Sequence, residues 1–363
     1  MEFIDLQAQY QALRQPIDLA IREVLDASRY INGPQVKQLE EALAGFVGVE
    51  HAVGFSSGTD ALLAILMAWE IGPGDEVITT PFSFIATAET ICLVGARPVF
   101  VDVSPDTLNL DPELIEAAIT PRTRAIMPVS LFGQCADFDA INAVAARHGL
   151  PVLEDACQSF GAAYQGRRSC GLTEAAATSF FPAKPLGCYG DGGMAFVRDG
   201  ELARQLRVIR EHGQVEQYRH AVIGINGRLD TLQAAILLAK LPHFEAEIRA
   251  RQMAARRYAE RLEGRVRIPA IRPENLSVFA QYTVRVAERA TVREKLASAG
   301  IPTAVHYPTP LHRQPVFMAM GYEGVDCPVA TQAAQEVLSL PMHPYLTEEQ
   351  QERVAQALLQ AVA

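Results

Sequence analysis

The stretch Thr178–Gly193, T-S-F-F-P-A-K-P-L-G-C-Y-G-D-G-G, decides how this chain is read. A β-prone run, Ala177 to Phe181, leads to one lysine, Lys184, and then to a loop with glycines at Gly187, Gly190, Gly192 and Gly193. The neighbours of Lys184 are mostly apolar or small, and no carboxylate lies close in sequence until Asp191. Burial disfavours an ammonium, so a lysine in such surroundings can lose its proton near neutral pH. A neutral amine can attack an aldehyde and form a Schiff base. Taken alone, a lysine at a strand end is a surface residue, because lysines are almost never fully buried. The rest of the chain has to decide between the two readings.

Upstream of the run the chain alternates. Strands are predicted at His51–Ser56, Glu76–Thr80, Pro98–Val103, Ala125–Leu131 and Pro151–Glu154. Helices are predicted between them at Thr59–Trp69, Ile85–Val94, Pro112–Ile119 and Phe138–His148, after two opening helices at Gln7–Ser28 and Gln35–Phe46. Strands that are near-continuous apolar runs, alternating with helices, give an α/β fold: a mostly parallel sheet flanked by helices on both faces. Downstream, a long helical stretch from Leu229 to Leu262, broken at Pro242, leads to a smaller C-terminal α/β part. Its strand is Val278–Val286, with helices at Val292–Ser298, Ala330–Leu338 and Glu348–Val362. This divides the chain into a large domain, residues 1–240, and a small one, residues 241–363.

Composition narrows the class. The chain has 363 residues, 49% hydrophobic and 20% charged, which suits a globular enzyme with a large core. A net charge of -10 argues against a nucleic-acid or anionic-membrane surface. The N-terminus M-E-F-I-D-L-Q does not read as a signal peptide, and no run of about 18 apolar residues is present to span a bilayer. Cys92, Cys135, Cys157, Cys170, Cys188 and Cys327 show no metal-ligand spacing, so no metal site is expected, and reduced thiols in a cytoplasmic enzyme fit them.

Ligands of open α/β sheets bind at the carboxyl ends of the strands. The first strand ends in Ser56-Ser57-Gly58-Thr59-Asp60 before a helix, where backbone N–H groups and a hydroxyl can hold a phosphate. The alternative is that Ser57 and Thr59 only cap the helix. The second strand ends in Pro81-Phe82-Ser83-Phe84, which puts Phe84 where it can stack on a flat ring or enter the core. The Pro151–Glu154 strand ends in E-D-A-C-Q-S-F-G, residues 154–161. Asp155 there needs a partner, either a pyridinium nitrogen, an N-cap N–H or an internal ion pair. Together with Lys184 these parts describe a holder for pyridoxal phosphate.

The chain resembles the DegT/DnrJ/EryC1/StrS family of pyridoxal-phosphate sugar aminotransferases over nearly its whole length. The resemblance is carried by Y-I-N-G-P at 30–34, S-G-T-D-A-L at 57–62, G-D-E-V-I-T at 74–79, E-D-A-C-Q-S-F-G at 154–161 and S-F-F-P-A-K-P-L-G at 179–187, with N-G-R-L-D-T-L-Q-A-A at 226–235 and H-Y-P-T-P-L-H at 306–312. It implies a fold-type I transferase. Lys184 would carry the cofactor, Asp155 would pair with its ring nitrogen, and Gln158 would contact the ring face or its 3-hydroxyl. Phe84 would stack on the ring, and Gly58, Thr59 and Ser179 would hold the phosphate. The active sites would be shared across a homodimer, with Asn226 reaching the phosphate from a second subunit and Arg228 lying near the sugar nucleotide. Tyr30 and Asn32 would line the substrate entrance. His306, Tyr307 and His312 stay open between a sugar-binding role and a proline-rich turn that satisfies its own histidines. The loop Leu186–Gly193 matches the L-G-x-x-G-D-G-G type that accompanies 3-oxo sugars in the family, rather than the T-T-G-E-G-G type of 4-oxo sugars. The implied substrates are a UDP-linked 3-oxo sugar and L-glutamate, for lipopolysaccharide O-antigen precursors. The alternative is another nucleotide-linked 3-oxo or 4-oxo sugar.

Three rivals are weighed against residues. A dehydratase on this scaffold replaces the lysine with histidine, and Lys184 stands against it. A nicotinamide dehydrogenase needs G-x-G-x-x-G after the first strand, and Ser56-Ser57-Gly58-Thr59 is not that. A non-catalytic sugar-nucleotide sensor has no need of both Lys184 and Asp155.

Overall fold

The apolar runs of the first half fold as neighbouring strands in a computed structural model that describes residues 1–363. They are β1 (His51–Phe55), β2 (Glu76–Thr79), β3 (Arg97–Phe100), β4 (Thr123–Met127) and β5 (Leu153–Asp155). The two-residue strands β6 (Ala163–Tyr164) and β7 (Arg167–Arg168) turn back after β5, and β8 (Ala175–Ser179) and β9 (Gly193–Val197) flank the Lys184 loop. β2 pairs in parallel with β3 and β4, and β5 in parallel with β8. β9 runs antiparallel between β8 and β1. Parallel bridges Ile126–Val152 and Val129–Asp155 join β4 to β5, giving the order β3-β2-β4-β5-β8-β9-β1. The mostly parallel sheet is as predicted, with β9 its antiparallel member.

Successive side chains of a strand face opposite ways, and here both ways are apolar. Ile78 and Ile126 pack into one core with Phe160, Phe196, Leu237 and Phe244. Val77, Ala125 and Met127 pack into another with Leu62, Ile65 and Leu206. Helices therefore cover both faces, and each large apolar side chain so buried contributes about 1.5–3 kcal/mol.

Beyond the sheet, β10 (Gln214–Glu216) and β11 (Arg219–His220) make a wholly exposed hairpin, and β12 (Asn275–Leu276) pairs with β6. In the C-terminal part β13 (Tyr282–Arg285) pairs antiparallel with β14 (Val337–Leu340) over a core of Val284, Leu296, Leu338, Leu340 and Leu358.

Several predicted elements shift. The opening helix is two, Leu6–Ala12 and Arg14–Ala27, because buried Leu13 takes a non-helical backbone between them. The Pro112–Ile119 helix starts as a 3-10 turn, Pro112–Leu114, before a short α-helix. The strand predicted to reach Leu131 stops at Met127, and Leu131 opens another 3-10 turn. The break at Pro242 does not occur: one helix runs from Thr231 to Leu262 with the proline inside it. Buried faces on both sides of Pro242 hold the helix together, Leu237 in the large core and Tyr258 in the C-terminal one. The helix predicted over Ala330–Leu338 ends at Glu336, and Val337–Leu340 is β14, an all-buried strand. The strand predicted at Val278–Val286 is confined to Tyr282–Arg285.

Candidate active site

The strand order brings the carboxyl ends of β1, β5 and β8 together. At β1 the chain turns through Ser57 into the helix Gly58–Ala68. Ser57 is the N-cap, its Oγ accepting from the Asp60 N–H at 3.0 Å. The capping reading therefore holds for Ser57, and the N–H groups of Gly58 and Thr59 in the first turn remain without intrahelical acceptors. Ser56 Oγ donates to Asp60 Oδ2 and ties down the same turn. A side chain at Gly58 would put its Cβ 2.8 Å from Cys157 Sγ and 2.9 Å from Ser179 Cβ. A Cβ at Gly193 would lie 2.3 Å from the Ser57 carbonyl carbon. The cup at Gly58, the loop after β5 and the two strands flanking Lys184 are thus in van der Waals contact.

Asp155 ends β5 and is buried. Its Oδ2 accepts from Thr87 Oγ1 at 2.7 Å and its Oδ1 from the Cys157 N–H at 3.1 Å. Thr87 Oγ1 in turn lies 2.9 Å from Ser83 Oγ. No lysine, arginine or histidine forms a salt bridge with this carboxylate. Glu154 beside it points into the opposite layer, where it accepts from Ser130 Oγ (2.8 Å), Ser169 Oγ (2.7 Å) and the Cys170 N–H (2.8 Å). Burial raises the Glu154 carboxyl above its ordinary range despite those donors.

Lys184 sits on a loop closed by the Cys188 N–H to the Phe180 carbonyl, 2.8 Å, and its own N–H bonds the Phe181 carbonyl at 2.8 Å. Desolvation holds its ammonium below the usual lysine range; the Cys157 thiol and the Asp155 carboxylate pull the other way without winning. No hydrogen bond to protein contributes to that balance. Ser179 is five residues upstream, its Oγ accepting from the Phe181 N–H at 3.2 Å.

Gln158 Oε1 accepts from the Phe132 N–H at 2.8 Å, which leaves Nε2 to donate to Tyr307 Oη at 2.9 Å. The Tyr307 ring stands 6.4 Å from that of Phe84. Phe84 is 56% exposed, so it lies at the rim and not in the core. His306 Nδ1 lies 2.9 Å from Ser339 Oγ; burial first, and then the nearby Lys184 amine, lower its pKa to about 4, so its ring is neutral at pH 7. His312 belongs elsewhere. It is fully buried against Phe100, and neither ring nitrogen has a protein partner.

A second group assembles around Glu211. Its Oε1 accepts from Asn32 Nδ2 at 2.8 Å and its Oε2 from Arg228 Nη1 at 3.1 Å. Asn226 bridges Glu211 through the backbone and is itself exposed. Tyr30 is held by its carbonyl, which accepts from the Thr231 N–H at 2.9 Å. The backbone joins this group to the first: the Gly227 carbonyl accepts from the Ser56 N–H at 2.8 Å, beside the cup.

These residues fit pyridoxal phosphate. A buried carboxylate lacking a cation, a lysine amine lacking a partner and two open N–H groups at a helix start are the three complements it requires. Thr87 and Glu211 were not foreseen from the sequence. The one signal for Thr87 was the Ser83–Thr87 spacing, which places two hydroxyls a helical turn apart; Glu211 gave none.

Comparison with known proteins agrees. Residues 11–359 match the model of the DegT/DnrJ/EryC1/StrS aminotransferase family. A Pseudomonas aeruginosa relative, UDP-2-acetamido-2-deoxy-3-oxo-D-glucuronate aminotransferase, is 56% identical over 347 residues, 95% of this chain and 96% of the relative. A solved DegT DnrJ EryC1 StrS aminotransferase from Brucella abortus superposes with a TM-score of 0.97 at 43% identity, covering 100% of both chains. NtdA from Bacillus subtilis, solved with bound cofactor PMP, has a TM-score of 0.90 at 32% identity, covering 97% of this chain and 82% of its own.

Proposed function

The chain belongs to the DegT/DnrJ/EryC1/StrS aminotransferase family, a family dependent on pyridoxal phosphate, and from that premise we propose that it moves the amino group of L-glutamate to the C3 keto carbon of a UDP-linked 3-oxo sugar. We infer the sugar to be UDP-2-acetamido-2-deoxy-3-oxo-D-glucuronate, on the path to O-antigen precursors; the relative that acts on it and the Leu186–Gly193 loop support this. The observation that carries the reading is Asp155, buried without a cation at the strand ends that also present Lys184.

Bound pyridoxal phosphate would supply an electron-accepting ring for the pair left when the donor's α-proton departs. The chain's own residues do the rest. Lys184, whose ammonium is disfavoured by desolvation, would bind the cofactor, take the proton from the α-carbon of glutamate, and deliver one to C3 of the sugar. Asp155, steadied by Thr87 and the Cys157 N–H, would meet positive charge at the ring nitrogen. The N–H groups of Gly58 and Thr59, with Ser179, would hold the phosphate. Phe84 and Gln158 would flank the ring, and Gln158 also fixes Tyr307, with neutral His306 beside it.

We further propose a homodimer in the cytoplasm. Tyr218 and Ile223, each 86% exposed, stand just before Asn226, and a second copy covering them would bring Asn226 and Arg228 to the neighbouring site, with Tyr30 and Asn32 at its entrance. No helix is long and apolar enough to cross a membrane. The division into residues 1–240 and 241–363 we read as two packed lobes, with the Thr231–Leu262 helix spanning both.

The test is single turnover. The amino form of the holoenzyme, prepared with glutamate, is mixed with UDP-linked 3-oxo and 4-oxo sugars, and the cofactor's visible band is followed. Recovery with the 3-oxo uronate supports the assignment. Recovery with the 4-oxo sugar alone defeats the C3 assignment, and a band indifferent to glutamate defeats the aminotransferase reading in favour of a sensor.

A further inference from the structure

The loop that presents Lys184 is gripped from below by the long helix. Lys240 is 2% exposed, and its Nζ donates to the Gly187 carbonyl at 2.6 Å and to Gln9 Oε1 at 2.9 Å. The same ammonium stands 4.2 Å over the Tyr189 ring, a cation–π distance. One face of that helix makes a second hold. Gln233 Oε1 accepts from the Tyr189 N–H at 2.8 Å, and its Nε2 donates to the Tyr189 carbonyl at 3.3 Å. Gln233 and Lys240 are seven residues apart, two helical turns, so both face the loop. Gln9 Nε2 bonds both oxygens of buried Glu247 at 3.0 Å, and Tyr345 Oη donates to the same carboxylate at 2.8 Å. A buried cation is thus matched to a buried anion through one amide, and its shortest contact is a backbone carbonyl three residues past Lys184.

We propose that Lys240, seconded by Gln233, is a positioning residue for the transamination: by holding the Gly187 carbonyl and Tyr189 it fixes the loop so that the half-buried Lys184 amine stays shielded and aimed at the cofactor. The proposal rests on the reading of Lys184 given above. Its physical content is that the amine's low proton affinity depends on the clamp, because a loosened loop admits water and removes the desolvation that disfavours the ammonium. Lys240 touches neither cofactor nor substrate. It acts through Lys184.

The experiment strips the full-length protein of cofactor and follows the rate at which pyridoxal phosphate restores the lysine-linked visible band, as a function of pH. Only the neutral amine reacts, so the midpoint reports the proton affinity of Lys184. In Lys240→Met the midpoint is expected to rise by about one unit, tenfold in proton affinity. The glutamate half-reaction of the reloaded protein is expected to slow on the order of 100-fold, as for misplacement by about an ångström, with its glutamate saturation unchanged. Lys240→Arg, which keeps donor and charge, is expected to recover most of both. A folded Lys240→Met with the wild-type midpoint overturns the proposal, whatever its activity; so does a raised midpoint that Lys240→Arg leaves uncorrected. If Lys240→Met does not fold, Gln233→Met releases the loop at Tyr189 without removing a charge, and an unmoved midpoint there overturns the proposal equally. Failure of the underlying reading looks different: the band would then form in Lys184→Ala as readily as in the wild type.

Discussion

Removal of the Lys184 amine separates anchoring from catalysis. Lys184→Ala is expected to abolish turnover while the cup at Gly58-Thr59 and the Asp155 carboxylate still retain cofactor, measured as absorbance surviving gel filtration. Full activity in the folded variant would sink the mechanism. Asp155→Asn keeps the shape and the Thr87 contact but removes the charge. A charge-assisted interaction of about 2–3 kcal/mol is lost, so the half-reaction with glutamate is expected to slow on the order of 100-fold, and an unchanged rate would show that the ring nitrogen is not its partner. Gly58→Ala places a methyl against Cys157 Sγ and Ser179 Cβ. Overpacking of this kind costs about 1–3 kcal/mol, so a lower melting temperature and weaker cofactor retention are expected together. The convergence of Lys184, Asp155 and Gly58 was legible because each stands at or just beyond the end of a strand that the apolar runs marked out. Thr87, Glu211 and Lys240 were not, because their roles come from partners distant in sequence: Thr87 meets Asp155, Glu211 meets Asn32, and Lys240 meets Gln9 and Gly187.

Among the elements, Pro242 offers the sharpest test. It lacks an N–H for the Leu238 carbonyl, four residues back in an unbroken helix. Pro242→Ala can restore that bond, and a gain of about 1 kcal/mol or more in urea unfolding is expected; a loss would mean that the proline ring is itself needed for packing. The sequence argued for a break because local propensity was weighed without the two cores that fasten the helix on either side. Where local signals and packing agree, boundaries were legible to the residue. The helices Phe138–His148 and Glu348–Val362 begin after Asp137 and Thr347, whose side chains cap them. β14 was hidden because Val337-Leu338-Ser339-Leu340 continues the apolar pattern of the helix before it, and only pairing with β13 reveals a strand.

At the scale of the whole molecule, acid is expected to act through buried histidines. His306 and His343 both have pKa values lowered to about 4 from 6.5, by burial first, then by Lys184 and by Arg251 respectively. Between those values the unfolded chain binds more protons than the folded one. Stability is therefore complete above about pH 6.5 and falls as the pH drops toward 4, by at most about 1.4 kcal/mol per unit for each histidine. His343→Leu removes one titrating group and is expected to flatten the dependence of urea stability on pH in that window; an unchanged slope would assign the acid sensitivity elsewhere. The strand order carries a further consequence, one of timing. β1 is made first among the strands, yet it pairs only with β9, His51 against Val197. While a ribosome is still short of that segment, β1 has no strand neighbour and the turn at Ser57-Gly58 lacks its contacts with Ser179 and Gly193. The vitamin-derived ligand can therefore be captured only once the chain has passed Val197, so its uptake reports a polypeptide beyond the middle of its 363 residues.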